Sequence, residues 1–331
     1  MREKGIGMAL RESQDGSRDN YRLWASEEVG IPVWHQPWWL DATAGEDEWD
    51  VLSVIDSGQV AATLPYTLVK RRGFTIMGQP PLTQSLGPWF SSTGAGDVPK
   101  LSMQHKLLGQ IADSLPNVDS YAQNWLPEMG NWLPFHWRGF NQTTRYTYRL
   151  SLEGGGENMW NNLEGSLRWE IRKAGDKNGL VATEVDSLDL VWPVIRETFE
   201  RQGQQVPFSR NLLERILVRG SKEGAVSLYL ARDANETTHA AAVVVRDSVR
   251  AYYLLGGTAP GFRRTGGMSL LLWHALQDAQ DKGLHIFDFE GSMIEPVEKF
   301  FRTFGTVQTP YFRVGKDFSR SLRLLRNLRG A

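Results

Sequence analysis

Cysteine is absent from this sequence of 331 residues. Its absence excludes disulfide bonds, thiolate metal sites and a cysteine nucleophile, and it is typical of proteins in a reducing compartment. Only six histidines are present, at spacings unlike those of metal ligands, and no serine lies in a Gly-x-Ser-x-Gly motif. The sequence therefore predicts neither a metal site nor a serine hydrolase.

Long hydrophobic runs are also missing. A membrane-spanning helix needs about 20 mostly apolar residues, and the longest uncharged stretch, residues 73–96, is interrupted by prolines and glycines. Residues 1–20 are polar, lack the apolar segment of a signal peptide and are expected to form a flexible tail. These features predict a cytoplasmic protein without a membrane span.

The sequence has almost no net charge, because it contains 37 Lys and Arg and 38 Asp and Glu. This balance argues against a surface covered with basic charge, so DNA is not expected as a partner. The charge is unevenly distributed along the chain. Residues 1–60 hold 5 basic and 12 acidic side chains, whereas residues 313–331 hold 6 basic and 1 acidic.

The length favours two domains, because domains usually span about 100–200 residues. Both halves repeat one order of predicted elements: a hairpin, a third strand, a Gly/Pro-rich loop, a helix, a strand, a helix and a strand. A constant offset of 164 relates Arg149 to Arg313 and Leu150 to Val314. We interpret this as a duplicated domain. The predicted parts are an N-terminal domain (21–152), a glycine linker (154–156), a C-terminal domain (157–315) and a basic helix (316–331).

A long amphipathic helix is predicted at the start of the second half. Apolar residues recur at spacings of three and four along residues 160–174, and Gly179 is expected to end the helix. Its polar face carries three basic residues beside a tryptophan: Arg168, Arg172, Lys173 and Trp169. This face is either solvated or a surface that contacts RNA.

The end of the chain predicts a second basic helix. The basic side consists of Lys316, Arg320, Arg323 and Arg326, and the apolar side of Phe318, Leu322 and Leu325. The apolar side is expected to pack on its own domain and to leave the arginines solvated. The alternative is a surface for tRNA, for an anionic lipid surface or for an acidic partner.

A glycine-rich loop, residues 256–268, connects an apolar strand to an apolar helix. Gly266 and Gly267 allow close approach of a ligand to the backbone, and the first turn of the helix can bind an anion such as a pyrophosphate. Arg263 and Arg264 can add charge-assisted hydrogen bonds. The alternative is a tight turn with two solvated arginines. The spacing fits neither a phosphate loop nor a dinucleotide fingerprint.

Two carboxylates lie near the end of the predicted strand 285–289. Strand alternation places Asp288 and Glu290 on one face and Phe287 and Phe289 on the other. If these carboxylates are partly buried, their mutual repulsion raises one pKa towards the range of a general base. The alternative is that they bind backbone N–H groups or pair with arginine.

A short helix is predicted over residues 295–304, with a proline in its first turn. Phe300 and Phe304, four residues apart, are expected in the core. Arg302 lies away from that apolar stripe and is expected to face a cleft or solvent.

These residues together resemble the FemAB-related branch of the GNAT acyltransferase superfamily. The resemblance is carried by three segments of the second half: 252–273 (YYLLGGTAPGFRRTGGMSLLLW), 287–293 (FDFEGSM) and 299–305 (KFFRTFG). Weaker support comes from 167–174, 198–203, 64–66, 79–83 and 87–88.

The resemblance implies an α+β architecture of two tandem GNAT-like folds, with mixed central sheets flanked by helices. It also implies transfer of an acyl or aminoacyl group to an amine. Ordinary members bind acyl-CoA at a strand–loop–helix junction, which here corresponds to Arg263, Arg264, Gly266, Gly267 and Met268. Arg263 and Gly266 fit the pattern Gln/Arg-x-x-Gly-x-Gly/Ala, whereas Met268 departs from it.

FemAB enzymes use aminoacyl-tRNA and extend the peptide of a cell-wall precursor. They usually carry Phe-Lys before the terminal Phe-Gly. This sequence has Phe300 and Phe301 there, with Arg302 as the nearest cation.

We therefore predict a cytoplasmic N-acyltransferase that moves an acyl group from an acyl-CoA-type thioester to an amine of a small molecule or peptide. Glu290 or Asp288 is expected to orient or deprotonate the amine. The residues expected to contact substrate are Tyr253, Ser292, Arg172, Arg201 and Arg302. Two alternatives stay open: FemAB-like peptidyl transfer from aminoacyl-tRNA to a cell-wall precursor, and a GNAT scaffold that binds ligands without catalysis.

Overall fold

The computed structural model describes residues 14–28, 30–91, 100–201, 203–291 and 293–330. The first helix already begins at Gln14, so the prediction of a flexible tail is wrong for residues 14–20; residues 1–13 lie outside the described part. The chain divides into two compact units. One comprises Met1–Arg145 and Tyr311–Ala331, and the other comprises Tyr146–Pro310.

Helices occur in both units. The first unit contains α1 (Gln14–Glu27), a short 3-10 turn (Val33–His35), α2 (Pro37–Thr43), α3 (Leu101–Asp113), α4 (Leu133–His136) and the C-terminal α11 (Arg320–Gly330). The second contains α5 (Gly155–Asn162), α6 (Gly165–Arg172), a π-helical turn (Lys173–Lys177), α7 (Leu188–Arg201), α8 (Arg210–Lys222), α9 (Gly267–Asp281) and α10 (Glu295–Arg302). None of these described helices is long and apolar enough to span a bilayer.

Strands follow the predicted order closely. The first seven are β1 (Trp49–Asp56), β2 (Gln59–Arg71), β3 (Phe74–Gly78), β4 (Trp89–Phe90), β5 (Ser120–Asn124), β6 (Asn141–Ser151) and β7 (Val181–Val185). The others are β8 (Val226–Arg232), β9 (Thr238–Arg246), β10 (Arg250–Thr258), β11 (Ile286–Asp288) and β12 (Val307–Asp317). Ser57 and Gly58 both have positive φ, 52° and 84°, as the tight turn of the first hairpin requires.

The first unit has the strand order β1-β2-β3-β5-β12, with β4 beside β2. Its strands pair antiparallel, except that β3 and β5 are parallel. Leu64, Tyr121 and Trp125 are buried in its core.

The second unit has the order β7-β8-β9-β10-β11-β6. Here β10 and β11 are parallel, and the other described pairs are antiparallel. The apolar face of α9 packs with the aromatic residues Phe287, Phe289, Phe301 and Phe304 in one buried cluster. Each unit is thus a mixed sheet flanked by helices, and the predicted α+β fold class is confirmed.

The last strand of the order in each unit comes from the other half of the sequence. It is β12 in the first unit and β6 in the second. In register, Arg313 lies opposite Asn124 and Arg149 opposite Asp288, two pairs related by the offset of 164 found in the sequence. This exchange of strands explains why the compact units do not end at the predicted residues 152 and 315.

Several local predictions are wrong, for identifiable reasons. Gly155 and Gly156 begin α5 rather than form a linker. The predicted single helix is interrupted after α5, because the backbone N–H of Glu164 donates to the carbonyl of Thr303 (2.9 Å). Pro127 and Glu128 are typical of a helix start, but the structure has a turn there. At the other end, β12 continues to Asp317, so the basic helix starts at Arg320 and Lys316 belongs to the strand.

Candidate active site

Asp288 is the last residue of β11 and is completely buried. Its Oδ2 accepts a hydrogen bond from Nε of Arg149 (2.7 Å). Its Oδ1 accepts from the Thr147 hydroxyl and from the backbone N–H of Glu290, the latter at 2.9 Å. Both oxygens of Asp288 are therefore engaged, and both side-chain donors come from β6.

Burial raises the pKa of Asp288, while the Arg149 charge and the Thr147 hydroxyl act in the opposite direction. Burial is the larger effect, so the pKa of Asp288 is raised overall. Its donors hold the carboxyl in place, and one of them, the N–H of Glu290, ties the Glu290 backbone to Asp288.

Glu290 lies two residues beyond Asp288, outside the strand, with a left-handed backbone (φ 52°). Such a conformation costs about 1–3 kcal/mol for a residue other than glycine and is concentrated at functional sites. The next residue, Gly291, passes so close to the carbonyl of Tyr146 that a Cβ there would collide with it. Glu290 is therefore held in its unusual conformation by its surroundings.

One oxygen of the Glu290 carboxyl, Oε1, is buried without a hydrogen bond from the described residues. Burial, followed by the charge of Asp288, raises the pKa of Glu290 well above its ordinary value of 4.5. A buried unpaired oxygen on a group with a raised pKa is suited to accept a proton from a bound ligand.

Tyr253 lies on β10 and interacts electrostatically with Glu290. Burial and the Glu290 charge raise the pKa of Tyr253, so its hydroxyl stays protonated at neutral pH. The ring packs edge-on against Phe301, with 6.0 Å between centroids, and the hydroxyl lies 4.0 Å from Sδ of Met268. A Cβ at position 256 would collide with this hydroxyl, so Gly256 makes room for it.

The glycines predicted to bind phosphate lie at the start of α9, but α6 covers them. Gly266 has φ 77°, and a Cβ there would lie 2.8 Å from the carbonyl oxygen of Glu170. Gly267 is buried, as is Ser269, whose hydroxyl donates to Oε2 of Glu170 (3.1 Å). A carboxylate of the chain itself therefore lies at the helix end that a phosphate would occupy.

The arginines of the same loop are accessible. Arg263 and Arg264 are exposed. Arg201, at the end of α7, donates to the carbonyl of Thr258 (2.9 Å). Burial and the charge of Arg263 lower the pKa of Arg201, so Arg263 lies within electrostatic range of Arg201. This pair of like charges is suited to an anion.

The other predicted site residues are engaged elsewhere or lie outside the description. Arg172 lies over the ring of Trp160, at 5.2 Å from its centroid. Arg302 is exposed and faces Glu298, with Nε 3.7 Å from Oε1. Ser292 lies outside the described residues. Among those that are described, no group of three or more His, Asp or Glu side chains is arranged to hold a metal ion.

Thr147 and Arg149 are the residues that sequence reasoning missed. The available signal was the match of Arg149 with Arg313 at the offset of 164. At that offset, the first unit has Asn124 where the second has Asp288, and buried Leu126 where the second has Glu290. The first unit thus repeats the strand pairing without the carboxylates.

A glutamine at position 290 is expected to stabilise the protein at neutral and alkaline pH. The folded-state pKa of Glu290 is raised, so between about pH 4.5 and that pKa the folded state binds more protons than the unfolded state. Wild-type stability then falls by about 1.4 kcal/mol per pH unit relative to Glu290→Gln and levels off at higher pH. Denaturant unfolding from pH 4 to 8 measures this difference. The exposed Glu223 supplies the control Glu223→Gln, and parallel curves for Glu290→Gln and wild type would contradict the buried carboxyl.

Comparisons with known proteins agree with this architecture. Residues 162–299 match the model of the acetyltransferase (GNAT) domain family. The fold is similar to that of FemX, with a TM-score of 0.70, 12% identity and coverage of 93% of this chain and 98% of that chain. No curated protein sequence matches the chain.

Two further solved structures share the fold at lower similarity. One is the C-terminal domain of a putative lysylphosphatidylglycerol synthetase from Agrobacterium fabrum (TM-score 0.57, 13% identity, 95% and 97% coverage). The other is L-PGS from Bacillus licheniformis (TM-score 0.55, 12% identity, 94% and 96% coverage).

Residues 162–299 of the second unit thus match an acetyltransferase (GNAT) domain, which indicates an acyltransferase. The fold is similar to that of FemX, as the motifs of the sequence predicted. Asp288, Glu290 and the loop before α9 lie inside the matched residues 162–299, whereas Thr147 and Arg149 on β6 lie outside them.

Proposed function

We propose that this protein transfers an acyl group to an amine and that Glu290 accepts the proton of that amine. The observation that carries the proposal is the buried Oε1 of Glu290, unpartnered among the described residues, on a carboxyl whose pKa is raised. A general base is most effective when its pKa lies near the working pH. An ammonium or amine of the acceptor supplies the hydrogen-bond donor that Oε1 needs.

In this mechanism the amine nitrogen attacks the carbonyl carbon of the donor as Glu290 takes the proton. The tetrahedral intermediate carries negative charge on the former carbonyl oxygen. The protonated Tyr253 hydroxyl is suited to donate a hydrogen bond to that oxygen. The bond to the leaving sulfur or oxygen then breaks, the leaving group takes up the proton held by Glu290 and departs as a thiol or alcohol, and the amide product leaves. Asp288 holds the Glu290 backbone throughout.

For the donor we propose an acyl-CoA-type thioester whose phosphates bind the side chains of Arg263, Arg264 and Arg201. The charges of Arg201 and Arg263 repel each other, and a bound anion would relieve that repulsion. The backbone of Gly266 and Gly267 contributes little in this proposal, because Glu170 covers it. Met268 takes part through its contact with Tyr253 rather than through phosphate.

The position of Glu170 over the start of α9 supports a second candidate donor, aminoacyl-tRNA. Glu170 lies where the pyrophosphate of CoA is expected, and its carboxylate would repel that group. In addition, Trp169 on α6 is 63% exposed, and Lys173 Nζ lies 4.9 Å from its ring centroid. An exposed aromatic ring beside basic side chains suits stacking on nucleic-acid bases. The acceptor is then an amine of a cell-envelope precursor, a peptide or a lipid.

A donor panel distinguishes the two candidates. The protein is incubated with an amine mixture and either acyl-CoA thioesters or aminoacyl-tRNA, and acylated amines are detected by mass spectrometry. We expect amide product with acyl-CoA, and loss of CoA binding in Arg201→Ala and Arg263→Ala. Product with charged tRNA alone would replace the CoA proposal. Ligand-induced thermal shifts without product from either donor would indicate a binding protein. Because both donors are intracellular and the chain lacks cysteine, we place the reaction in the cytoplasm.

A further inference from the structure

The C-terminal helix α11 exposes leucines that its own unit does not cover. Leu322 is buried and anchors the helix, whereas Leu324, Leu325 and Leu328 are 64%, 46% and 78% exposed. At 100° per residue, these three side chains fall within an arc of about 100° on one side of the helix. Of the side chains expected to pack, Leu322 is buried and Phe318 contacts Phe140, with 5.9 Å between ring centroids, whereas Leu325 is left in an open apolar strip.

Positively charged side chains border this strip on one side. Arg320 lies at the edge of the leucine arc and Arg323 beyond it, and both are exposed. The sole acidic residue of segment 313–331 is Asp317, and it is already paired with Arg326 at 2.6 Å. The basic charges of the segment therefore greatly outnumber the acidic ones.

An excess of positive charge is also found at Arg313, on the strand that precedes α11. Arg313 on β12 is partly buried and donates to Oδ1 of Asn124 (3.3 Å), a neutral partner. Burial and the charges of Arg145 and Arg326 lower the pKa of Arg313. Arg145 and Arg326 thus each lie within electrostatic range of Arg313, and this excess of positive charge favours a polyanionic surface nearby.

We propose that α11 docks the protein on an anionic phospholipid bilayer, with Leu324, Leu325 and Leu328 inserted among the acyl chains and Arg320 and Arg323 at the headgroup phosphates. A helix with an apolar side and a basic side lies in the plane of such an interface. This inference does not depend on the proposed reaction.

Other occupants fit the same surface less well. RNA would use the arginines but would leave three leucines in water, because its backbone offers no apolar surface. A second copy of this chain would cover the leucines but would bring two sets of arginines together. An anionic bilayer can contact both the leucines and the arginines, through its acyl chains and its headgroup phosphates. Since α11 has only 11 residues, the binding is expected to be reversible and to need both apolar and electrostatic contributions.

Co-sedimentation of the full-length protein with lipid vesicles tests the proposal. Vesicles of phosphatidylcholine alone are compared with vesicles containing about 30% phosphatidylglycerol, whose negative surface potential attracts basic segments. We expect at least about tenfold tighter binding to the anionic vesicles, and weaker binding when salt rises from about 50 to about 500 mM. This part of the test needs no variant.

Two variants test the two halves of the helix. Leu324→Ser/Leu325→Ser/Leu328→Ser and Arg320→Glu/Arg323→Glu are each expected to reduce binding to anionic vesicles at least about tenfold. The matched control is Lys177→Glu/Lys222→Glu, which makes the same charge change at exposed positions of the second unit and is expected to bind like wild type.

Four results would overturn the proposal. These are equal binding to both kinds of vesicle, loss of binding in the control variant, tRNA binding without vesicle binding, and a concentration-dependent dimer that the leucine variant abolishes. Circular dichroism of each variant establishes that the fold is retained.

Discussion

Glu290→Gln is expected to lower the rate of acyl transfer by about 10²–10⁴-fold at neutral pH, the usual contribution of a general base. Glutamine keeps the size of the side chain and a hydrogen-bonding oxygen, but it cannot take the proton of the amine. The loss appears in the maximal rate, since the amine can still bind. In wild type the rate rises with pH until Glu290 is deprotonated, and the variant lacks that dependence.

The stability of the same variant separates catalysis from folding. Glu290→Gln removes a buried ionisable group, so it is expected to be more stable than wild type above the folded-state pKa of Glu290. A variant that is less active and more stable has not lost its rate through misfolding. Glu223→Gln, at an exposed position, is expected to change neither quantity. Unaltered turnover in Glu290→Gln with the true substrates would exclude Glu290 as the base.

Local signals allowed the elements to be predicted. At the start of α8, the Oγ of Ser209 accepts a hydrogen bond from the N–H of Leu212 (3.2 Å) as an N-cap, and serine is a preferred residue at that position. The turn at Ser57 and Gly58 likewise depends on a few neighbouring residues. Such features are encoded within one or two turns of chain, which is why the order of strands and helices could be read from sequence.

The exchange of the last strands could not be predicted in this way. β6 and β12 have similar sequences at the offset of 164, so alternation and composition fit either sheet equally well. Pairing of β6 with β11 brings together residues that are about 140 positions apart, such as Thr147 and Asp288. Non-local pairing of this kind leaves no mark within either segment.

The same non-local contacts separate the roles of the two carboxylates. From sequence, Asp288 and Glu290 were equivalent candidates. The structure gives Asp288 two side-chain donors from β6, whereas Oε1 of Glu290 receives none from the described residues. Asp288 and Glu290 were expected on one face of the same strand. This is wrong for Glu290, because the strand ends at Asp288 and the backbone of Glu290 is left-handed.

Removal of the Arg149 charge is expected to cost about 3–5 kcal/mol of unfolding free energy at neutral pH, the usual effect of breaking a buried ion pair. Asp288 is completely buried, so in Arg149→Met its charge would lose the guanidinium 2.7 Å away. Protonation of Asp288 relieves that penalty, so the loss of stability shrinks as the pH falls. Arg149→Met/Asp288→Asn is expected to recover part of the loss, and the double-mutant cycle measures the coupling.

The residue at the offset of 164 from Arg149 supplies the matched control for this prediction. Arg313 occupies the equivalent strand position in the first unit, opposite Asn124 instead of an aspartate. Arg313→Met removes the same charge from a neutral partner, so we expect a cost of only about 1 kcal/mol. Denaturant unfolding at pH 7 and pH 5 compares the two variants. If Arg149→Met and Arg313→Met cost the same at both pH values, Asp288 does not carry the buried charge on which the positioning of Glu290 rests.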